Sequence, residues 1–203
     1  DSRLLVNVIN KIAYENKYNP VQDFMEDCYK NWDKVKRARS LFPDYLGAKE
    51  SDLTERMTKL FFVGAVSKVY RPHDKFDFVL DLVGGQGSGK TTFLTKMGQG
   101  WYTDSMKNFD DKDQLVMMLR ALIVNDDEMA ISNKIPFADL KKFITQTVLS
   151  FRAPYGTKVE NYAKNFVIAR TTNHEEYQKD RTGARRFLPV HCSKELQKYH
   201  PVS

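Results

Sequence analysis

One stretch constrains this chain more than any other. Four of its ten glycines fall within six residues, at Gly84, Gly85, Gly87 and Gly89, and Lys90 and Thr91 follow directly. The run Gly84-Gly85-Gln86-Gly87-Ser88-Gly89-Lys90-Thr91 satisfies the phosphate-loop pattern G-x-x-x-x-G-K-[ST]. Before it, Phe76 to Val83 reads as a buried strand with only two charges, and after it Lys90 to Met97 reads as a helix. A strand–loop–helix unit of this kind wraps a polyphosphate in successive backbone N–H groups. Glycine lets the chain turn and approach the ligand, and the helix directs its positive end at the phosphates. The candidate nucleotide-binding set is therefore Gly84, Gly85, Gln86, Gly87, Ser88, Gly89, Lys90, Thr91 and Thr92. Lys90 supplies a charge for the β- and γ-phosphates, and Thr91 offers its hydroxyl to Mg²⁺.

Such a loop needs an acidic element for its metal. Leu122-Ile123-Val124-Asn125-Asp126-Asp127-Glu128 is an apolar strand ending in three carboxylates, about 35 residues on. One carboxylate holds Mg²⁺ through water and the next polarises the attacking water. The pair Asp127 and Glu128 is favoured for these two roles, with Asp126 taking the metal if the strand ends one residue earlier. Further strands are expected at Phe166 to Ala169 and at Phe187 to Val190, the latter at an edge because Pro189 cannot donate to a ladder. A helix is expected from Pro136, at its first turn, through Ala138 to Val148. Strands alternating with helices give an α/β fold, with a parallel sheet covered by helices.

Ahead of this lies a region that reads as helical. Helices are expected at about 3–16 and 21–32, separated by Asn19-Pro20, and a third starts from the Asp52-x-x-Glu55 box and stops at Arg71-Pro72. The domain division is placed near 71–75, giving a helical region 1–72 and a core 73–203. Trp101-Tyr102 reads as core rather than as a base-stacking platform, and Asp104 as a neighbour of the site. The charge is uneven: residues 129–203 carry a net +7 and residues 1–128 a net −1, so an anionic partner is expected on the C-terminal part. Two cysteines and four histidines without ligand spacing give neither a disulfide framework nor a structural zinc site. No apolar run approaches the ~18 residues of a membrane span and no signal peptide opens the chain, so a cytoplasmic location is expected. The first residue is Asp rather than Met, so the chain is expected to be a fragment of something longer.

Taken together, these residues resemble the virulence-associated protein E family, P-loop proteins of phages and mobile chromosomal islands. The resemblance runs from Asn19-Pro20-Val21-Gln22-Asp23-Phe24 through Phe62 to Tyr70, Lys75-Phe76-Asp77 and the loop itself. It continues in Leu140-Lys141-Lys142-Phe143, Arg152-Ala153-Pro154-Tyr155-Gly156, Thr171-Thr172-Asn173 and Thr182-Gly183-Ala184-Arg185-Arg186-Phe187. It implies an AAA+-like ATPase core, a P-loop NTPase related to the superfamily-three helicases. Those are ring-forming replicative motors often joined to a primase, so a ring such as a hexamer and a primase or initiator partner are expected. Family members tend to carry Glu where this chain has Asn125, and the C-terminal portion that normally follows Ser203 is expected to be missing.

By the same resemblance, Asn173 orients the attacking water and senses the γ-phosphate, for which an amide that donates and accepts is suited. Arg181, Arg185 and Arg186 surround Gly183. Arg186, or else Arg185, would be the finger delivered to a neighbouring copy's γ-phosphate. Pro154 and Gly156 suggest a hairpin tip, resembling the loop such helicases project into their channel. Lys158 first, then Arg152 and Tyr155, would hold single-stranded DNA, supported by Lys141 and Lys142. The reading is a DNA-dependent Mg-ATPase and replicative helicase. The alternatives are a non-catalytic, nucleotide-gated module, kept open by Asn125, and a small-molecule phosphotransferase, for which no lid sequence is evident.

Overall fold

The computed structural model describes residues 2–154, 156–175 and 185–200. The chain divides into two compact units between Asp33 and Lys34. The first holds α1 (Ser2–Glu15) and α2 (Pro20–Lys30). Asn19 opens α2: its Oδ1 accepts from the N–H groups of Val21 and Gln22 at 3.1 and 3.3 Å. Pro20 takes the first helical position, where no N–H is needed.

The second unit begins with α3 (Leu41–Leu46) and α4 (Asp52–Tyr70). The cap of α4 is Ser51, whose Oγ accepts from Thr54 N at 3.1 Å, while Asp52 and Glu55 lie in the first turn. The helix stops before Arg71-Pro72, as expected. The division near 71–75 is not where the units part, because α4 buries Phe61 and Ala65 in the same unit as the sheet. A helix so placed is a layer of the core rather than an appendage.

The remaining elements are β1 (Val79–Val83), α5 (Lys90–Gly98), β2 (Tyr102–Thr103), α6 (Lys112–Leu119), β3 (Ile123–Asp126) and α7 (Phe137–Thr145). They are followed by β4 (Val148–Phe151), β5 (Glu160–Ala163), β6 (Val167–Thr172) and β7 (Phe187–His191). Five strands form a parallel sheet in the order β2-β3-β6-β1-β7, so Pro189 does fall on an edge strand. Helix α7 ends at Thr145, short of Val148. Leu149 and Phe151 alternate inward from there, and Val148 pairs with Ala163 in an antiparallel β4–β5 hairpin. Period-2 burial overrides the helical reading of that segment. The hairpin connection is 152–159, which contains the expected tip.

Alternation divides the main sheet into two faces. Val79, Val124, Ile168 and Phe187 share a core with Leu115 and Met118 of α6 and Leu140, Phe143 and Ile144 of α7. The opposite face meets α5, where Gly98 abuts Tyr102 and Ile123 and Phe93 packs edge-on against Phe42 of α3 at 5.7 Å. In the α6/α7 face lies an ion pair that the sequence reading passed over. Asp81, fully buried, accepts two bonds from Arg170 across the ladder at 2.8 and 2.6 Å, and Arg170 sits 4.2 Å from the Phe187 ring centroid. Among the described residues, no helix is long and apolar enough to cross a membrane.

Candidate functional site

The glycine-rich loop leaves β1 at Gly84, whose N–H donates to Thr172 O at 3.1 Å on β6. A Cβ on Gly84 would lie 2.2 Å from the carbonyl oxygen of Cys192, so the close approach needs a glycine. Gly87 and Gly89 take left-handed φ of 80° and 73°. Ser88 Oγ donates to Gly85 O at 2.8 Å and closes the loop.

Lys90 opens α5 and is only 6% exposed. Its Nζ donates to Gly84 O at 2.6 Å, Gly85 O at 3.1 Å, Ser88 Oγ at 3.3 Å and Asn173 Oδ1 at 3.0 Å. Asn173 in turn donates through Nδ2 to Glu128 Oε1 at 3.0 Å. One amide therefore joins the loop lysine to the carboxylate proposed as base, using both of its ends. Glu128 is exposed and holds a left-handed backbone (φ 51°, ψ 24°), which costs a non-glycine residue of order 1–3 kcal/mol. Its N–H is fixed by Thr171 Oγ1 at 3.0 Å.

Beside this chain runs a second one. Asp127 Oδ1 accepts from Thr91 Oγ1 at 2.9 Å, from Thr171 Oγ1 at 2.7 Å and from Asn125 Nδ2 at 3.3 Å. Asp126 does not join it. Its buried carboxylate accepts from Ile131 N at 2.8 Å, Ser132 N at 2.8 Å and Ser132 Oγ at 2.5 Å, and so caps the turn after β3. The cause is strand alternation: Asp126 points to the α6/α7 face, opposite Asn125 and α5. The metal alternative for Asp126 is thereby removed.

Thr91 and Asp127 offer oxygen donors 2.9 Å apart at the mouth of the loop. That donor set fits Mg²⁺, which takes one or two protein oxygens and completes its shell with water and substrate phosphates. Among the described residues, no group of three His, Cys, Asp or Glu forms a metal cage. A cavity of about 390 Å³ opens over the loop, bounded by residues 86–92, Glu128, Asn173 and His200.

Two neighbouring groups keep their protons. Burial pushes the Cys192 thiol up to about 12, against the pull of Lys90. Burial also raises the Tyr102 phenol, whose hydroxyl donates to Asp104 Oδ2 at 3.0 Å and accepts from Asn125 Nδ2 at 3.0 Å. Asp104 is thus two hydrogen bonds from Asn125 and three from Asp127. Trp101 and Tyr102 are half-buried.

Arg152 and Lys158 are exposed on the hairpin connection, where Tyr155 lies outside the described residues. Lys141 stands 4.7 Å over the Phe137 ring on α7, a packing contact, and Lys142 is exposed on the same helix. Arg185 and Arg186 precede β7, and Phe187 pairs with Val79 at the start of β1. The loop leaves β1 at its other end, opposite His191. The length of β7, about 16 Å at ~3.3 Å per residue, therefore separates the backbone of Arg186 from the end of β1 at which the loop leaves. Arg186 is half-buried, and its Nε is buried without a hydrogen-bond partner. Arg181 lies outside the described residues.

The sequence reading missed Thr171 as the second hydroxyl on Asp127, and Asn125 with Tyr102 behind it. The alternation in Thr171-Thr172-Asn173 carries the first signal, since Thr171 shares a face with Ala169 and turns away from Arg170.

The family model described as the virulence-associated protein E-like domain matches residues 25–202. No individual curated protein gives a significant match. Among solved structures, one apo form of the NrS-1 C-terminal region aligns with 75% of this chain and 40% of its own, at 16% identity and a TM-score of 0.44. Another apo structure of that region aligns with 76% of this chain and 40% of its own, at 16% identity and a TM-score of 0.46. The chain spans about two fifths of the length of those proteins.

Proposed function

We propose that this chain, which belongs to the virulence-associated protein E-like domain family, binds Mg-ATP on an AAA+-like core and hydrolyses it in a DNA-dependent manner. The observation that carries the reading is the pair of hydrogen-bonded chains, Lys90–Asn173–Glu128 and Thr91–Asp127–Thr171, which meet at one mouth.

In this reading the N–H groups of residues 85–91 and the Lys90 ammonium hold the β- and γ-phosphates. Lys90 exchanges its contacts to the Gly84 and Gly85 carbonyls for phosphate oxygens. Thr91 and Asp127 would hold Mg²⁺, which would supply charge neutralisation for the phosphates. Asn173 orients a water toward the γ-phosphorus, and the Glu128 carboxylate accepts its proton. Arg186, or Arg185, serves a neighbouring copy, because the length of β7 separates its backbone from the end of β1 at which its own loop leaves. The hairpin connection, with Lys158 and Arg152, holds single-stranded DNA. Association into a ring, and a primase or initiator partner, belong to the same proposal.

The test is phosphate release from Mg-ATP with and without single-stranded DNA, for the wild type, Lys90→Ala and Lys158→Ala. DNA should stimulate release, Lys90→Ala should abolish it, and Lys158→Ala should lose only the stimulation. One observation favours a second reading, a nucleotide-gated module without turnover. Asn125, neutral and fully buried, spends its amide on Asp127 and Tyr102, leaving one carboxylate fewer at the metal. ATP binding with no phosphate release at any DNA concentration would support that reading instead.

A further inference from the structure

The chain beyond β7 runs back over the nucleotide site. Ser193 N donates to Leu46 O at 2.9 Å, and Lys198 N and Tyr199 N both donate to Asp44 O at 2.9 Å. These bonds strap residues 193–199 onto α3. Gly47 makes the approach possible, since at its φ of +62° a Cβ would stand 2.0 Å from Ser193 O. From this strap Gln197 Nε2 donates to Ser88 O at 2.7 Å, inside the glycine loop. His200 then forms part of the wall of the 390 Å³ cavity, together with Lys90, Thr91, Glu128 and Asn173.

The sheet order says which part of a ligand this wall meets. Glu128 and Asn173 reach the loop from the β3 and β6 side of β1. They are hydrogen-bonded to each other and close the end where a terminal phosphate is processed. The strap follows β7, on the other side of β1, and is tied to α3. A nucleotide whose γ-phosphate lies at Glu128 therefore extends its sugar and base toward the strap.

We propose that residues 193–200 form the nucleoside side of the site, with His200 contacting the ribose or base and Gln197 holding the loop in its phosphate-binding shape. This inference rests on the glycine loop being a nucleotide site. His200 is then a binding residue and Gln197 a positioning residue, neither marked by any sequence motif.

Two probes separate the roles by titration calorimetry on the 203-residue chain: Mg-ATP and inorganic tripolyphosphate with Mg²⁺. The variants are His200→Ala, Gln197→Ala and the isosteric Gln197→Glu, each checked for an unchanged Tm without ligand. Losing one hydrogen bond to the nucleoside should weaken ATP about five- to tenfold in His200→Ala and leave tripolyphosphate unaffected. Gln197→Ala should weaken both probes alike, and Gln197→Glu more so, because a carboxylate would face Ser88 O and the phosphates. His200→Ala binding ATP as the wild type does, or losing both probes equally, overturns the nucleoside wall. Gln197→Ala binding both normally overturns the loop support. A wild type that binds neither probe overturns the loop reading itself, and the strap proposal with it.

Discussion

Replacing Arg170 with Met removes the guanidinium from a carboxylate that has no exposed surface. Asp81 is fully buried and Arg170 is 5% exposed, and two bonds of 2.8 and 2.6 Å join them. Breaking a buried pair from one side costs about 3–5 kcal/mol, because the buried carboxylate loses the guanidinium that offsets its desolvation. The lost stacking on Phe187 adds to this, although the Met thioether restores part of the contact. At about 2–4 °C per kcal/mol for a unit of this size, Tm should fall by about 6–20 °C. The double variant Asp81→Val/Arg170→Met removes both charges and fits the β-branched preference of a central strand. It should return to within about 1–2 kcal/mol of the wild type, or exceed it. The assay is urea unfolding of wild type, both singles and the double, analysed as a cycle. If the double variant is as unstable as Arg170→Met, then attraction within the pair rather than desolvation of the survivor governs the site, and this reasoning is wrong.

Three further outcomes follow from the geometry. Asp127→Asn should weaken Mg-nucleotide binding about tenfold or more while leaving Tm nearly unchanged, whereas Asp126→Ala should lower stability by about 2–3 kcal/mol by orphaning the N–H groups of Ile131 and Ser132. Calorimetry and urea unfolding on both variants read this crossed pattern. Gly84→Ala places a methyl 2.2 Å from Cys192 O, so it should displace the β7 exit and abolish nucleotide binding, which a fluorescent ATP analogue reports. Lys164, buried with Nζ on the carbonyls of Phe143 and Ile144 at 2.9 and 3.0 Å, has its pKa pushed down to about 7 by burial and by the charge of Lys68, against the pull of Asp77. Its unfolded value is near 10.4, so between about pH 7 and 10 the unfolded chain binds the extra proton and stability rises with pH. Lys164→Met should flatten that rise in unfolding experiments across the range.

The parts legible in the sequence are those whose cause is local. The glycine spacing from 84 to 89, the Asn19-Pro20 start of α2, the Arg71-Pro72 stop of α4 and the edge position of Pro189 each follow from the backbone freedom or missing donor of a single residue. The hairpin tip follows likewise from Pro154 and Gly156. Features that depend on where an element stops were not legible. Whether Asp126 or Asp127 faces the loop turns on strand parity against α5, and the end of α7 turns on Val148 finding Ala163 as its partner. Contacts between distant segments were invisible altogether. Nothing near Gln197 announces Ser88, and nothing near Asp81 announces Arg170.

Parallel register explains why the site gathers where it does. Val83 stands beside Thr172 and Asp126 beside Arg170, so the residues after each strand emerge along one edge of the sheet. Gly84, Asp127 and Asn173 are those residues, and the N-terminus of α5 opens at the same edge, which is the arrangement the proposed nucleotide site uses. Because β6 lies between β1 and β3, Asn173 emerges between the ends of those two strands, where its amide joins Lys90 to Glu128. The same register puts Arg185 and Arg186 at the other edge, where β7 enters beside Val79. No rotamer change spans the length of a strand. In the proposed function, an arginine at that edge serves the loop of another copy, so that one sheet would provide two half-sites for two molecules to unite.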